Sequence, residues 1–207
     1  MSIVAQAYTV YSSFTTLVAV TEQIIPVNAA GVLAGQTAGN LYMDGPSANQ
    51  MNGKRFKVNL GGWVKAHGTS QTVKIGLLWQ AWLGSVRTGS PADTFTTVAS
   101  GTLTAGTFYD FVVEQEFFGE MNADTITAVL PSVMIAGAAV TITSVTAALA
   151  CTNLNTALFN QPSPSTGYIT PAVGYDYPAI SFCASVLNSV ADTVQTGAIT
   201  EFTMSME

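Results

Sequence analysis

Hydrophobic and polar residues alternate along much of the chain after residue 50, and alternation with period two is typical of half-buried β-strands. The pattern is clear in residues 56–60 and again in residues 71–81. Residues 66–70 (AHGTS), between these runs, have the composition of a turn. The sequence therefore predicts a β-hairpin here. The adjacent Gly61 and Gly62 predict a β-bulge or a sharp bend in its first strand.

Strand patterns continue to the end of the chain, and no amphipathic helix of about 12 residues is indicated. The best helical candidate, residues 140–154, is rich in β-branched residues, which favour a strand. Residues 85–93 predict a polar loop, and the proline-rich residues 160–178 predict a long ordered loop. Further strands are predicted at residues 95–99, 107–118, 125–134, 138–146, 180–187 and 200–206.

About eight to ten strands at spacings of roughly 8–12 residues predict an all-β sandwich or barrel. Residues 1–50 differ from the rest because they are apolar but irregular, and they predict a strand or two followed by an extended N-terminal arm. We expect this arm to pack on its own core or on another subunit. Residues 51–207 then form a single β-sandwich domain.

The 207-residue chain has few charges: 9% of its residues are charged, against about 25% in an average protein. A surface this poor in charge is typical of a β-protein that is largely covered by neighbours, or of a secreted or virion protein. Prolines and hydroxyl side chains interrupt the longest uncharged run, and residues 1–21 lack a basic start. The sequence therefore predicts neither a membrane span nor a signal peptide.

The positive charge is concentrated in one stretch, although the net charge is −6. A negative net charge argues against direct binding to nucleic acid. The charged residues are instead a candidate interaction surface, paired either across neighbouring strands of one sheet or between subunits. The basic members are Lys54, Arg55, Lys57, Lys65 and Lys74, and the acidic members are Asp110, Glu114 and Glu116.

Catalytic chemistry is not indicated. The only histidine, His67, lies in the predicted turn, and no nucleophile motif or phosphate-binding loop occurs. Cys151 and Cys183 have no metal-ligand spacing, and we expect two buried thiols or one disulfide. Calcium bound by the acidic strand, or a carboxylate pair for glycoside hydrolysis, are minor alternatives. We expect no catalytic residue, cofactor or metal.

Four aromatic residues are candidate ligand contacts, because sugar rings stack on exposed aromatic side chains. Trp63 lies at the predicted bend, while the other three lie in the proline-rich loop. The simpler interpretation is that these tyrosines pin a long loop to the sandwich. The three are Tyr168, Tyr175 and Tyr177.

Two segments, residues 53–79 (GKRFKVNLGGWVKAHGTSQTVKIGLLW) and 100–118 (SGTLTAGTFYDFVVEQEFF), resemble the jelly-roll structural proteins of tailed bacteriophages, including capsid decoration (cement) proteins. The resemblance implies a jelly-roll-like β-sandwich that stabilises a phage capsid through subunit–subunit and subunit–capsid contacts. It also implies a homo-oligomer, with a trimer favoured, that binds the major capsid protein. Such a protein assembles in the bacterial cytoplasm and resides in the virion. The resemblance assigns no role to any individual residue. A carbohydrate-binding or receptor-binding tail or fibre module is the alternative function, and a glycoside hydrolase on the same fold is a third.

Overall fold

The computed structural model describes residues 6–8, 12–14, 22–25, 42–45, 48–51, 53–66, 70–83, 86–120, 125–151, 178–191 and 197–206. Within them, the strands of the N-terminal half are β1 (Gln6–Tyr8), β2 (Ser12–Phe14), β3 (Gln23–Ile24), β4 (Tyr42–Asp44), β5 (Arg55–Lys65), β6 (Val73–Leu83), β7 (Val86–Asp93) and β8 (Phe95–Thr97). Those that follow are β9 (Phe108–Gly119), β10 (Thr125–Ala128), β11 (Ser132–Ile135), β12 (Ala138–Ala139), β13 (Ile142–Val145), β14 (Ala148–Ala150), β15 (Ile180–Asn188) and β16 (Gly197–Met206). One short helix, α1 (Ala48–Met51), precedes β5.

Two antiparallel sheets contain most of these strands. In the described part of the chain, the larger sheet has nine strands, with the order β1-β16-β5-β9-β10-β14, while β2 pairs with β16, β11 with β9, and β12 with β11. The smaller sheet has five strands, with the order β3-β15-β6-β7 and with β4 also on β15. A separate two-stranded ladder joins β8 and β13.

The sheets pack face to face around one hydrophobic core. The ring of Phe182, on β15 of the smaller sheet, lies 4.9 Å from the ring of Phe117 and 6.2 Å from that of Phe56, both in the larger sheet. All three side chains are buried. The fold is therefore an all-β, jelly-roll-like sandwich, as the strand pattern and the resemblance predict.

The predicted hairpin is wrong. β5 and β6 form where alternation predicts strands, but β5 pairs with β9 and β16, whereas β6 pairs with β15 and β7. The connection after Lys65 carries the chain from one sheet to the other. Both strands bury their apolar faces in the same core, from opposite sides. Alternation shows that one face of a strand is buried, but it does not show which sheet the strand joins.

The predicted polar loop at residues 85–93 is also wrong, because Val86–Asp93 is strand β7. In the described part of the chain, β7 lies at the end of the five-stranded sheet and forms backbone hydrogen bonds with one neighbour, β6. An edge strand tolerates Pro91 and the left-handed Gly89 (φ 71°). The polar composition that suggested a loop is that of an exposed edge strand.

Other strand predictions are confirmed, including β8, β9, β15 and β16. The predicted strand at residues 125–134 is divided by Pro131 into β10 and β11. The irregularity expected at Gly61 and Gly62 is present as a β-bulge, but the extra residue is Thr200 on the partner strand β16. Ala136 and Gly137, which connect β11 to β12, both have positive φ, as a two-residue hairpin turn requires.

The described parts of the predicted arm pair with the last two strands of the chain. β1 and β2 follow one another along β16, and β3 and β4 do the same along β15. The edges of both sheets are therefore covered here by the protein's own N-terminal region. Cys151 and Cys183 are buried, and no disulfide joins them. Among the described residues, no helix is long and apolar enough to cross a membrane.

Candidate functional site

The outward face of the nine-stranded sheet carries most of the predicted charged surface. β5 and β9 are direct neighbours, and their register places Lys57 opposite Glu116. Each basic side chain nevertheless reaches diagonally along β9. Arg55 Nη1 donates to Glu116 Oε1 at 3.0 Å, and Lys57 Nζ donates to Glu114 Oε2 at 2.8 Å. The cross-strand alternative for the charge pairing is thus observed within one chain.

These ion pairs orient side chains more than they stabilise the fold. All four charged groups are partly exposed to solvent. Exposed ion pairs contribute about 0–1 kcal/mol each, because water screens the attraction and the side chains lose rotamer freedom. Their main consequence is that the charges on this part of β5 and β9 compensate one another locally.

We call the ion pairs between β5 and β9 the charged ladder, and four predicted members of the charged surface lie apart from it. Lys54 is exposed just before β5, and Lys65 lies at the far end of the strand. Lys74 lies on β6 in the other sheet and belongs to a different surface. Its assignment to the same surface was a consequence of the wrong hairpin. Asp110 is exposed on β9 and is the register partner of Trp63.

An aromatic group lies at the Lys65 end of the same face. The rings of Trp63 and Phe108 meet edge to face with centroids 5.1 Å apart. Lys65 Nζ lies 4.6 Å from the centroid of Phe108, a cation–π contact. Phe108 is 59% exposed, and Trp63 is half-buried. The other candidate aromatics, Tyr168, Tyr175 and Tyr177, lie outside the described residues.

A group of exposed apolar side chains lies further along β9 and was not predicted from the sequence. Val112 and Met134 are register partners on β9 and β11, and both are exposed. Val129 and Leu130, just before β11, are exposed as well, and Leu130 is 70% exposed. We call these four residues the apolar patch. Its signal in the sequence was Val112, an apolar residue between Asp110 and Glu114 on the solvent-facing side of β9.

Two polar clusters fix N-terminal segments to the five-stranded sheet. In the first, Arg87 and Ser181 both donate to Asp44 Oδ1, and Trp82 Nε1 donates to Ser181 Oγ at 2.6 Å. The Arg87 guanidinium also lies 5.2 Å from the Trp82 ring centroid. These contacts of the first cluster link β4 to strands β6, β7 and β15. The second cluster surrounds Glu22.

The described residues contain no group of three or more histidine, cysteine or acidic side chains placed to hold a metal ion. Of the three carboxylates considered for calcium, Glu114 and Glu116 already bind Lys57 and Arg55. His67 lies outside the described residues. The described residues of this region present ion pairs, an aromatic pair and the apolar patch at the surface.

Comparison with known proteins adds little to this description. No family model matches the chain, and no curated protein matches its sequence. Among solved structures, peanut lectin with a nine-residue peptide (PVIWSSATG) is similar over 100% of this chain and 98% of the lectin chain. The sequence identity is 8% and the TM-score is 0.37. A similarity at this level supports no inference about function.

Proposed function

We propose that the chain is a non-enzymatic structural protein of a virion, of the phage capsid decoration type. It acts by contact: the outward face of the nine-stranded sheet binds neighbouring copies or the major capsid protein. A trimer is the favoured assembly. The virion assignment rests on the sequence resemblance, and the assignment to a contact role rests on the apolar patch.

The apolar patch is the observation that carries the contact role. Contiguous exposed apolar side chains on a sheet face are typical of protein–protein interaction sites. Val112 and Met134 are cross-strand neighbours, while Val129 and Leu130 lie in the short connection between β10 and β11, and the exposure of the four ranges from 39% to 70%. Complete burial of such a side chain contributes about 1.5–3 kcal/mol. Since each is already partly buried, roughly 1 kcal/mol per side chain is available on association.

The flanking charges are compatible with such an interface. Lys57 and Arg55 are already neutralised by carboxylates of the same chain, so a partner does not need to supply opposite charges. Interface centres are poor in charged residues, and paired charges are typical of the rim. The charge-poor composition of the whole chain supports the same interpretation.

The contact role is tested by Met134→Ser, combined with Leu130→Ser, in sedimentation velocity at micromolar concentration. The wild type is expected to sediment as an oligomer and the double variant as a smaller species. Val98→Ser is the matched control, because Val98 and Met134 are both 43% exposed and only Met134 lies in the apolar patch. A monomeric wild type contradicts contact between copies, and an equal loss of mass in the control contradicts the role of the apolar patch.

The virion assignment has its own test. Proteomics of purified particles from the source should find the chain at a copy number comparable with that of the capsid protein. Electron microscopy of the same particles should show it on the outside of the shell. Its absence from every particle fraction contradicts the assignment, whatever the sedimentation result.

A carbohydrate-binding module is the second candidate function, and the Trp63–Phe108 pair supports it. An exposed aromatic pair, bordered by Lys65 and Asp110 as hydrogen-bonding groups, has the composition of a sugar-stacking surface. A glycan array should then show binding that Trp63→Ala abolishes. Phe118→Ala, an aromatic replacement on the same strand as Phe108, should retain it. An array without any signal contradicts this second function.

A further inference from the structure

A cavity of about 110 Å³ lies where the N-terminal segment meets the five-stranded sheet. Glu22, just before β3, reaches into it and accepts a hydrogen bond from Ser185 Oγ at 2.5 Å. Asp93, at the end of β7, lines the same cavity, and the proximity of Glu22 helps to raise the pKa of the Asp93 carboxyl group. Gly76 leaves space for the hydrogen bond between Ser185 and Glu22, because a Cβ atom at this position would lie 2.4 Å from Ser185 Oγ.

A hydrogen bond between two carboxyl groups requires a proton, because two carboxylates are both acceptors and repel each other. Contact between the two carboxyl groups is therefore attractive while Asp93 is protonated and repulsive when Asp93 is charged. Among the described residues, Lys74, from β6, is the third ionisable residue that lines the cavity. The remaining lining residues, Ile75, Gly76, Phe95, Thr96, Thr97 and Leu187, carry no ionisable group.

We propose that Glu22 and Asp93, which line this cavity together with Lys74, form a pH-dependent clamp that holds residues 22–25 against β15 while Asp93 is protonated and loosens them when Asp93 is charged. β3 covers the backbone of β15 at Ser185 and Val186. Its release exposes unpaired backbone groups, to which an extended segment of another chain can add. The clamp thus couples pH to the availability of one sheet edge.

The electrostatics of Asp93 support the clamp. Burial, followed by the charge of Glu22 and its hydrogen bond, raises the pKa of Asp93 from 3.8 to about 6, although Lys74 acts in the opposite direction. A carboxyl group whose pKa is raised in the closed state stabilises that state fully below its open-state pKa. This stabilisation is lost as pH rises from 3.8 towards 6 and is absent above that window.

Hydrogen exchange at Ile25 reports directly on the clamp, since its N–H donates to the carbonyl oxygen of Ala184 at 2.9 Å. Exchange is measured from pH 4 to pH 7 and divided by the intrinsic rate at each pH. We expect the protection of this amide to fall by roughly tenfold, which is less than the full pKa shift implies because Asp93 remains partly exposed. Protection should be constant above about pH 6.5.

Asp93→Asn and Glu22→Gln each remove one ionisable partner with little change in shape. In either variant, the protection of Ile25 should vary by less than about twofold over the same pH range. Glu116→Gln is the matched control, because it removes an exposed carboxylate from the other sheet and should retain the wild-type pH profile. Carboxyl ¹³C chemical shifts should place the Asp93 titration near pH 6.

Three results overturn the clamp: a wild-type protection that does not change with pH, a pH profile in both Asp93→Asn and Glu22→Gln equal to that of the wild type, or titration of Asp93 near 3.8. None of these depends on the oligomeric state or on a virion, so the clamp and the proposed function can fail independently.

Discussion

Replacement of Gly62 by alanine should be among the most damaging small changes in the β-sandwich. A methyl group at Gly62 would lie 2.1 Å from the carbonyl oxygen of Ala198 and 2.7 Å from Cζ of Phe111. The first atom belongs to the backbone of β16, which is held by its ladder with β5. The second belongs to a buried ring. Neither can move without disturbing the bulge or the core.

The cost follows from the two contacts. Overpacking of a well-packed site costs about 1–3 kcal/mol, and occasionally more. Because one contact is with backbone, we expect the upper end, about 3 kcal/mol. In a chain of this size, 1 kcal/mol corresponds to roughly 2–4 °C in Tm, so Gly62→Ala should lower Tm by about 6–12 °C.

Gly61→Ala is the matched control. The nearest atom to a methyl group at Gly61 is Cβ of Glu201 at 3.6 Å, an ordinary van der Waals contact. The free energy of unfolding of the Gly61→Ala variant should differ from that of the wild type by less than about 1 kcal/mol. Urea titration and thermal unfolding of both variants provide the measurement. Equal shifts in the two variants would refute the steric argument, and a Gly62→Ala protein as stable as the wild type would refute the backbone geometry.

Two further predictions concern charged side chains. Arg87→Lys loses part of the contact with Asp44 and the stacking on Trp82, and should destabilise the fold by roughly 1–2 kcal/mol in urea unfolding; Arg55→Lys, in an exposed pair, should cost under about 1 kcal/mol. In a double-mutant cycle, Lys57→Gln and Glu114→Gln should show a coupling of about 0.2–1 kcal/mol that 0.5 M salt reduces. A coupling of zero at low salt would show that the observed ion pair contributes nothing.

Sequence alternation identified most of the strands because it depends only on one face being buried. Phe56 and Val58 in β5 and Val73 and Ile75 in β6 all point into one core. Their pattern is the same whether the strands pair with each other or face each other across the core. The pairing depends on contacts between distant parts of the chain, such as β5 with β16, which no local pattern contains.

The charged ladder could be predicted in part, because alternation also shows which residues lie on the polar face of a strand. Lys57 and Glu114 were both assigned to polar strand faces, and those faces are side by side in the larger sheet. Lys74 has an equally regular pattern but faces the cavity that contains Asp93. Glu22 and Asp93 lie 71 positions apart in segments without a motif, so only the fold brings them together.

Because the observed ion pairs lie within one chain, a test of assembly should replace residues of the apolar patch rather than charged residues. If the basic residues of β5 paired with the acidic residues of β9 in a neighbouring subunit, Lys57→Glu would disrupt the oligomer. Because Lys57 is bound to Glu114 of its own chain, its replacement should leave the oligomer mass unchanged, while loss of Met134 and Leu130 from the apolar patch should reduce it. The opposite result, with Lys57→Glu dissociating the oligomer and the serine variant intact, would show that the charged ladder is the interface and that the intrachain pairs are exchanged for pairs between chains on assembly.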